Sequence, residues 1–112
     1  MTIKGKETGF LYSIGADCDI DDEFQKLGVA DFVSFMERTG TAQGYAKLGA
    51  ILNKWYCKAN GGEPITEADI MMLPAGALGE LQTEVSKAIA DGQKHEMEAK
   101  AVKSKNVKSA AK

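Results

Sequence analysis

The sequence predicts a mainly α-helical fold: a small domain of four to five helices with a short N-terminal β-hairpin and a disordered basic C-terminal tail. Apolar side chains recur every three to four residues along most of the chain, as on one face of a helix, and only residues 2–14 resemble paired strands. The 112 residues, of which 44% are hydrophobic and 27% charged, suffice for one core. We assign residues 1–93 to a single helical domain that includes the hairpin, and residues 94–112 to a charged helix extension followed by a flexible Lys-rich tail.

The hairpin is predicted over residues 2–14, where β-branched and aromatic residues flank a polar centre that turns near Gly5. Gly9 weakens the second strand, because glycine has no side chain to pack there. A two-stranded ribbon is marginally stable alone, so helices are expected to cover one of its faces.

The first helix is predicted to begin at Ala16, because Ile20, Phe24 and Leu27 fall on one side of a helix. Acidic residues crowd its beginning, where the partial positive charge of a helix N-terminus favours them. Gly28 is expected to end it.

Two further helices are predicted before a break at residues 60–62. The apolar stripe of the shorter helix consists of Val29, Phe32, Val33 and Met36, and residues 39–41 interrupt it. The longer has the strongest apolar stripe and is expected to form the centre of the core. Its stripe consists of Tyr45, Leu48, Ile51, Leu52, Trp55 and Tyr56. Gly44 and Gly49 each cost a helix about 1 kcal/mol relative to Ala, so tertiary packing must stabilise this element.

The last two helices follow Pro64. Thr66 and Asp69 have the spacing of a capping box at the start of a short helix, which ends near Pro74. The stripe of the final helix consists of Leu78, Leu81, Val85, Ala88 and Ile89. Small residues and lysines dominate residues 102–112, which favours disorder there.

Charge is divided unevenly along the chain. Residues 1–93 contain eight basic and fourteen acidic residues, a formal charge of −6, whereas residues 94–112 contain six lysines and two glutamates, a formal charge of +4. An acidic body repels phosphate, and a lysine tail gives only salt-sensitive attraction to polyanions. Specific nucleic-acid binding is therefore disfavoured.

Cys18 and Cys57 belong to no closely spaced pair, which favours reduced, buried or half-buried thiols in an intracellular protein. A disulfide bond between the two cysteines is an alternative that the sequence leaves open. No segment has the apolar length of a membrane span or of an export signal.

Asp17, Asp19 and Asp21 have the opening spacing of a calcium-binding loop. The match ends there, because Asp22 stands where the loop needs glycine and Gly28 where it needs a bidentate glutamate. A helix start with a solvated acidic face is the favoured interpretation.

No sequence pattern supports another kind of catalytic or cofactor-binding site. His95 is the only histidine and has no placed nucleophile, and the cysteines lack the clustering of zinc sites. No glycine-rich phosphate loop occurs. We therefore expect no catalytic residue, no metal and no cofactor.

The apolar residues exceed what one helical face can bury, because Phe35 adjoins Met36 and Met71 adjoins Met72. One interpretation is a small core that uses both sides of short helices. The other is a pliable surface that binds a partner's hydrophobic helix. On the second interpretation, the predicted partner-binding residues are Phe35, Trp55, Met71 and Met72.

The order of these features resembles the tail assembly chaperones of long-tailed bacteriophages. The resemblance covers residues 2–93: a hairpin at residues 3–7, the segment 10–16 leading into an acidic helix, a Tyr/Leu/Trp helix, residues 64–69, and a final helix with a charged tail.

This resemblance implies a non-enzymatic protein of the bacterial host cytoplasm that binds the helical, hydrophobic tape-measure protein and helps to recruit tail tube protein. Self-association stays open. One alternative is a structural connector or adaptor subunit retained in the virion. A less favoured alternative is a small regulator that binds DNA through helices between residues 29 and 60, which the acidic body disfavours.

Overall fold

The computed structural model describes the backbone of residues 1–109 and the side chains of residues 1–93. The elements are β1 (Thr2–Ile3), β2 (Lys6–Glu7), α1 (Ile14–Leu27), α2 (Phe32–Thr39), α3 (Thr41–Asn60), α4 (Glu67–Met71) and α5 (Leu78–Ser109), with a 3-10 turn at Ala75–Ala77. The predicted fold class, mainly helical with an N-terminal hairpin, is confirmed.

The hairpin is shorter than predicted. Ile3 pairs with Lys6 in antiparallel register, and Lys4 and Gly5 both have positive φ angles, of 56° and 75°, as a two-residue hairpin turn requires. Beyond β2 the chain leaves the ribbon and crosses α3, where the Leu11 amide donates to the Leu52 carbonyl at 3.0 Å. Contact with α3 therefore replaces strand pairing over residues 9–13.

Local capping sets the ends of α1. The Ser13 side chain accepts a hydrogen bond from the Ala16 amide, so the helix begins at Ile14, two residues before the predicted start. At the other end Gly28 adopts φ 68°, and the Val29 amide donates back to the Phe24 carbonyl at 3.0 Å. This is a Schellman arrangement, which glycine favours because it has no Cβ.

Two other helix starts also depend on side-chain caps. Helix α2 begins at Phe32 and not at residue 29, because the Asp31 carboxylate accepts from the Ser34 amide at 2.7 Å. The predicted capping box of α4 is confirmed: Thr66 and Asp69 exchange hydrogen bonds between side chain and backbone at 2.9 and 3.1 Å.

Helix α3 is the centre of the core, as predicted, and packs against α1, α2, α4 and α5. Its two costly glycines are positions of close approach. A Cβ on Gly44 would lie 2.4 Å from the Met36 sulfur, and one on Gly49 would lie 3.1 Å from Cδ1 of Ile70. Glycine lets neighbouring helices come closer to α3 than alanine would, and that packing offsets its low helix propensity.

Asn53 is the buried polar residue of this core. Its Nδ2 donates to the Thr8 hydroxyl and to the Gly9 carbonyl, both at 2.8 Å, and its Oδ1 accepts from the Ile65 amide at 2.9 Å and from Cys57 Sγ. One side chain thus fastens the N-terminal segment and the loop before α4 to α3. Buried polar groups with such partners avoid the penalty of desolvation.

Helix α5 continues to Ser109, well beyond Ile89, the last residue of its predicted apolar stripe. The side chains of residues 94–112, and residues 110–112 altogether, lie outside the described part of the chain. The predicted flexible Lys-rich tail and the position of His95 fall there and stay predictions.

Candidate partner-binding site

Phe35 is not a surface residue, so its interpretation as a partner contact is wrong. Its side chain is 0% exposed, and its ring centroid lies 5.3 Å from that of Phe24 on α1. The adjacent Met36 is half-buried. Helix α2 is short and lies between α1 and α3, so it uses two sides for the core, as the first interpretation of the apolar surplus supposed.

Trp55 is half-buried and joins α3 to α1. Its ring covers Gly15, where a Cβ would lie 2.3 Å from the indole, and its Nε1 donates to Asp19 Oδ2 at 2.8 Å. The ammonium groups of Lys54 and Lys58 lie 5.3 and 4.8 Å from the ring centroid. The described contacts of Trp55 are therefore internal, and its predicted role in partner binding stays a prediction.

Because α1 begins at Ile14, only Asp17 of its acidic residues lies in the first turn, and the acidic side chains point in different directions. Asp19 forms an ion pair with Lys54 at 2.6 Å, while Asp17 accepts a hydrogen bond from the Tyr12 hydroxyl. The hydrogen bonds from Lys54 and Trp55 hold the pKa of Asp19 below its ordinary value. Within the part of the chain whose side chains are described, no three His, Cys, Asp or Glu residues converge as a metal site.

Met71 and Met72 are exposed at the end of α4, with 55% and 83% of their surface accessible. Met71 borders a shallow hollow of about 220 Å³ between α4 and the start of α5, together with Leu73 and Pro74. The sequence-based expectation of surface exposure is met at these two positions. Their contact with a partner stays a prediction.

A larger apolar depression, which we call the α2–α3–α5 groove, was missed by sequence reasoning. It has a volume of about 490 Å³. Its apolar lining is Phe32, Val33 and Met36 from α2, Tyr45 and Leu48 from α3, and Ile89 and Ala90 from α5, with Glu37, Ser86 and Gln93 at polar positions.

Val33 is a large apolar side chain of this groove that is exposed to solvent. It belongs to the predicted apolar stripe of α2, but 69% of its surface is exposed. Nearby, the Tyr45 hydroxyl lies 3.3 Å from the Ser86 hydroxyl, which connects α3 to α5 beside the groove. The only sequence signal for this site was the excess of apolar residues on α2.

A second depression lies beside the contact of the N-terminal segment with α5, and we call it the N-terminal cleft. Its volume is about 890 Å³. The lining residues are Phe10, Leu11, Tyr12, Ser13, Ile14 and Asp17 on one side and Ala88, Asp91, Gly92 and Gln93 on α5. Ile14 is 86% exposed, so this surface too presents an apolar side chain to solvent.

The two cysteines differ in environment. Cys57 is buried and Cys18 is exposed, and both are free thiols. The expectation that both thiols are buried or half-buried is therefore wrong for Cys18.

No helix among the described residues is both long and apolar enough to cross a membrane. No protein-family model, curated protein or solved structure matches the chain. The structure therefore describes the protein only as a small helical domain with open apolar depressions between its helices.

Proposed function

We propose that this protein is a non-enzymatic tail assembly chaperone that binds the phage tape-measure protein through the α2–α3–α5 groove. It acts in the cytoplasm of the bacterial host, where it covers the apolar face of its helical partner and helps the tail tube protein to assemble. The observation that carries the proposal is the 69% exposure of Val33 in a groove that is lined mostly by apolar side chains.

The lining of the groove fits a hydrophobic helix better than a polar ligand. Aromatic and sulfur-containing side chains from α2 and α3 meet aliphatic side chains from α5 there, with polar groups beside them. Peptide-binding grooves of this kind take the apolar stripe of an amphipathic helix, and flexible methionine side chains adapt to its shape. An unshielded helix of that type aggregates, so covering it is a function in itself.

The proposal predicts that a gene beside this one encodes a very long helical protein, and the product of that gene is the partner used in the test. Co-expression is expected to keep that protein soluble and to yield a complex. Val33→Lys places a charge in the groove at an exposed position, so it should leave the fold intact and abolish the complex. Gln25→Lys adds the same charge at an exposed position on α1 outside the groove and should bind like the wild type.

A folded Val33→Lys variant that still forms the complex would exclude this groove as the binding site. Recovery of the protein from purified mature particles would instead support the connector alternative, because a chaperone leaves the finished tail.

A further inference from the structure

The N-terminal cleft combines apolar and acidic side chains. Leu11, Ile14 and Asp17 follow one another at intervals of three residues along one wall, and Asp91 contributes a second carboxylate from α5. Both carboxylate residues are exposed, as are Leu11 and Ile14. Such a surface fits a basic segment that has some apolar side chains.

The chain contains a segment of that chemistry. Residues 94–112 have a formal charge of +4, and they also contain Met97, Val102 and Val107. Residues 1–93, the part of the chain that contains the cleft, have a formal charge of −6, and Asp17 and Asp91 place two of the acidic groups in the cleft itself. Opposite charges of this size favour association, most strongly at low ionic strength.

The geometry of α5 separates this segment from the cleft of its own molecule. The helix forms one wall of the cleft up to Gln93 and continues without interruption to Ser109. At 1.5 Å per residue, Ser109 is roughly 24 Å further along the helix axis than Gln93. The backbone of residues 94–109 therefore extends away from the cleft of its own molecule.

We propose that the N-terminal cleft binds the basic C-terminal segment, residues 94–112, of a second copy of this chain. The contact joins two different surfaces, so a pair of copies still has one free cleft, on one copy, and one free segment, on the other. Repetition of such a contact produces a ring or an open filament. This inference uses a different surface from the α2–α3–α5 groove and stands independently of the proposed function.

Sedimentation equilibrium of the full chain, at salt concentrations of about 0.01 M and about 1 M, tests the proposal, because the Debye length falls from about 30 Å to 3 Å between them. In low salt the average mass is expected to rise with protein concentration above the monomer value of 12.0 kDa. In high salt it should return towards that value.

Charge reversal identifies the two surfaces. Asp17→Lys/Asp91→Lys makes the cleft basic, and replacing Lys100, Lys103, Lys105 and Lys108 with Glu makes the segment acidic. Each variant alone carries like charges on both surfaces and should stay monomeric. An equimolar mixture restores opposite charges and should associate in low salt.

The control Asp22→Lys/Glu63→Lys makes the same change in net charge at exposed positions outside the cleft and should associate like the wild type. Circular dichroism checks that each variant is folded. If Asp17→Lys unfolds through loss of its Tyr12 contact, Asp91→Lys alone takes its place.

Three results would overturn the proposal. They are a wild-type protein that stays monomeric in low salt, association that persists unchanged in high salt, and a mixture of the two variants that fails to associate.

Discussion

The indole Nε1 of Trp55 donates a hydrogen bond to Oδ2 of Asp19 at 2.8 Å, and Nζ of Lys54 lies 2.6 Å from the same oxygen. This contact joins α1 to α3, between residues 36 positions apart in the chain. Trp55 is the only tryptophan, so its fluorescence reports on this junction without interference from another indole.

The contacts of Asp19 with Trp55 and Lys54 are expected to weaken in acid. The pKa of Asp19 is lowered from its ordinary value of 3.8 by the hydrogen bonds from Lys54 and Trp55. A carboxyl group with a lowered folded-state pKa contributes stability that is fully present above its ordinary pKa and is lost as the pH falls through the folded-state pKa. Asp19→Asn should therefore show a shallower loss of unfolding free energy below pH 3.8 than the wild type.

Urea unfolding followed by tryptophan fluorescence at a series of pH values measures this difference. Asp22→Asn is the control, because it removes a carboxylate from an exposed position on the same helix. Identical pH dependence in the wild type and in Asp19→Asn would contradict the prediction. The pKa values of three other carboxyl groups are also lowered, so part of the acid sensitivity should remain. These groups are Glu7, Asp31 and Asp69.

Gly15→Ala is expected to destabilise the protein even though alanine favours helices. A Cβ at this position would lie 2.3 Å from the Trp55 ring, and a rigid indole cannot yield as a flexible side chain would. We expect a loss of about 1–3 kcal/mol, as for other overpacked sites, and a changed emission spectrum. Gly79→Ala is the matched control on α5, where a Cβ meets nothing within 4 Å, and it should stabilise by up to about 1 kcal/mol. Equal unfolding midpoints for the two variants would refute the argument.

Asn53→Leu is expected to lower the unfolding free energy by about 3 kcal/mol. The change leaves the Gly9 carbonyl and the Ile65 amide without their hydrogen bonds from α3. Losing a partner costs a buried polar group about 1–3 kcal/mol. Asn60→Ala removes a hydrogen bond to the Tyr56 carbonyl at an exposed position and should change stability by less than about 0.5 kcal/mol. Denaturant titration compares the two, and a small effect at both positions would show that Asn53 is dispensable.

Met71→Gln/Met72→Gln is expected to leave stability within about 0.5 kcal/mol of the wild type, because both side chains are exposed at the end of α4. If these methionines contact the partner, as predicted from the sequence, the variant should bind it more weakly. Thermal unfolding checks the first expectation, and the co-expression experiment used for Val33 checks the second. Full binding by the double variant would show that Met71 and Met72 are not part of the partner-binding interface.

The sequence by itself determined the order and the type of the elements. Ile20, Phe24 and Leu27 have helical spacing, and Gly28 does end that helix. Thr66 and Asp69 form the capping box that their spacing predicts. These features depend on residues within one or two turns of each other, so local periodicity and capping chemistry are enough to place them.

Only the tertiary structure decided which apolar residues are covered. Phe35 and Val33 lie on the same short helix, yet Phe35 is fully buried against Phe24 and Val33 is mostly exposed. Both are apolar residues of a predicted helix, and the difference in their burial depends on where α1, α3 and α5 approach α2. The same holds for Asn53, whose partners lie 44 positions before it and 12 after it. Whether a side chain is buried depends on how several helices pack together, so the spacing of residues along one helix does not predict it.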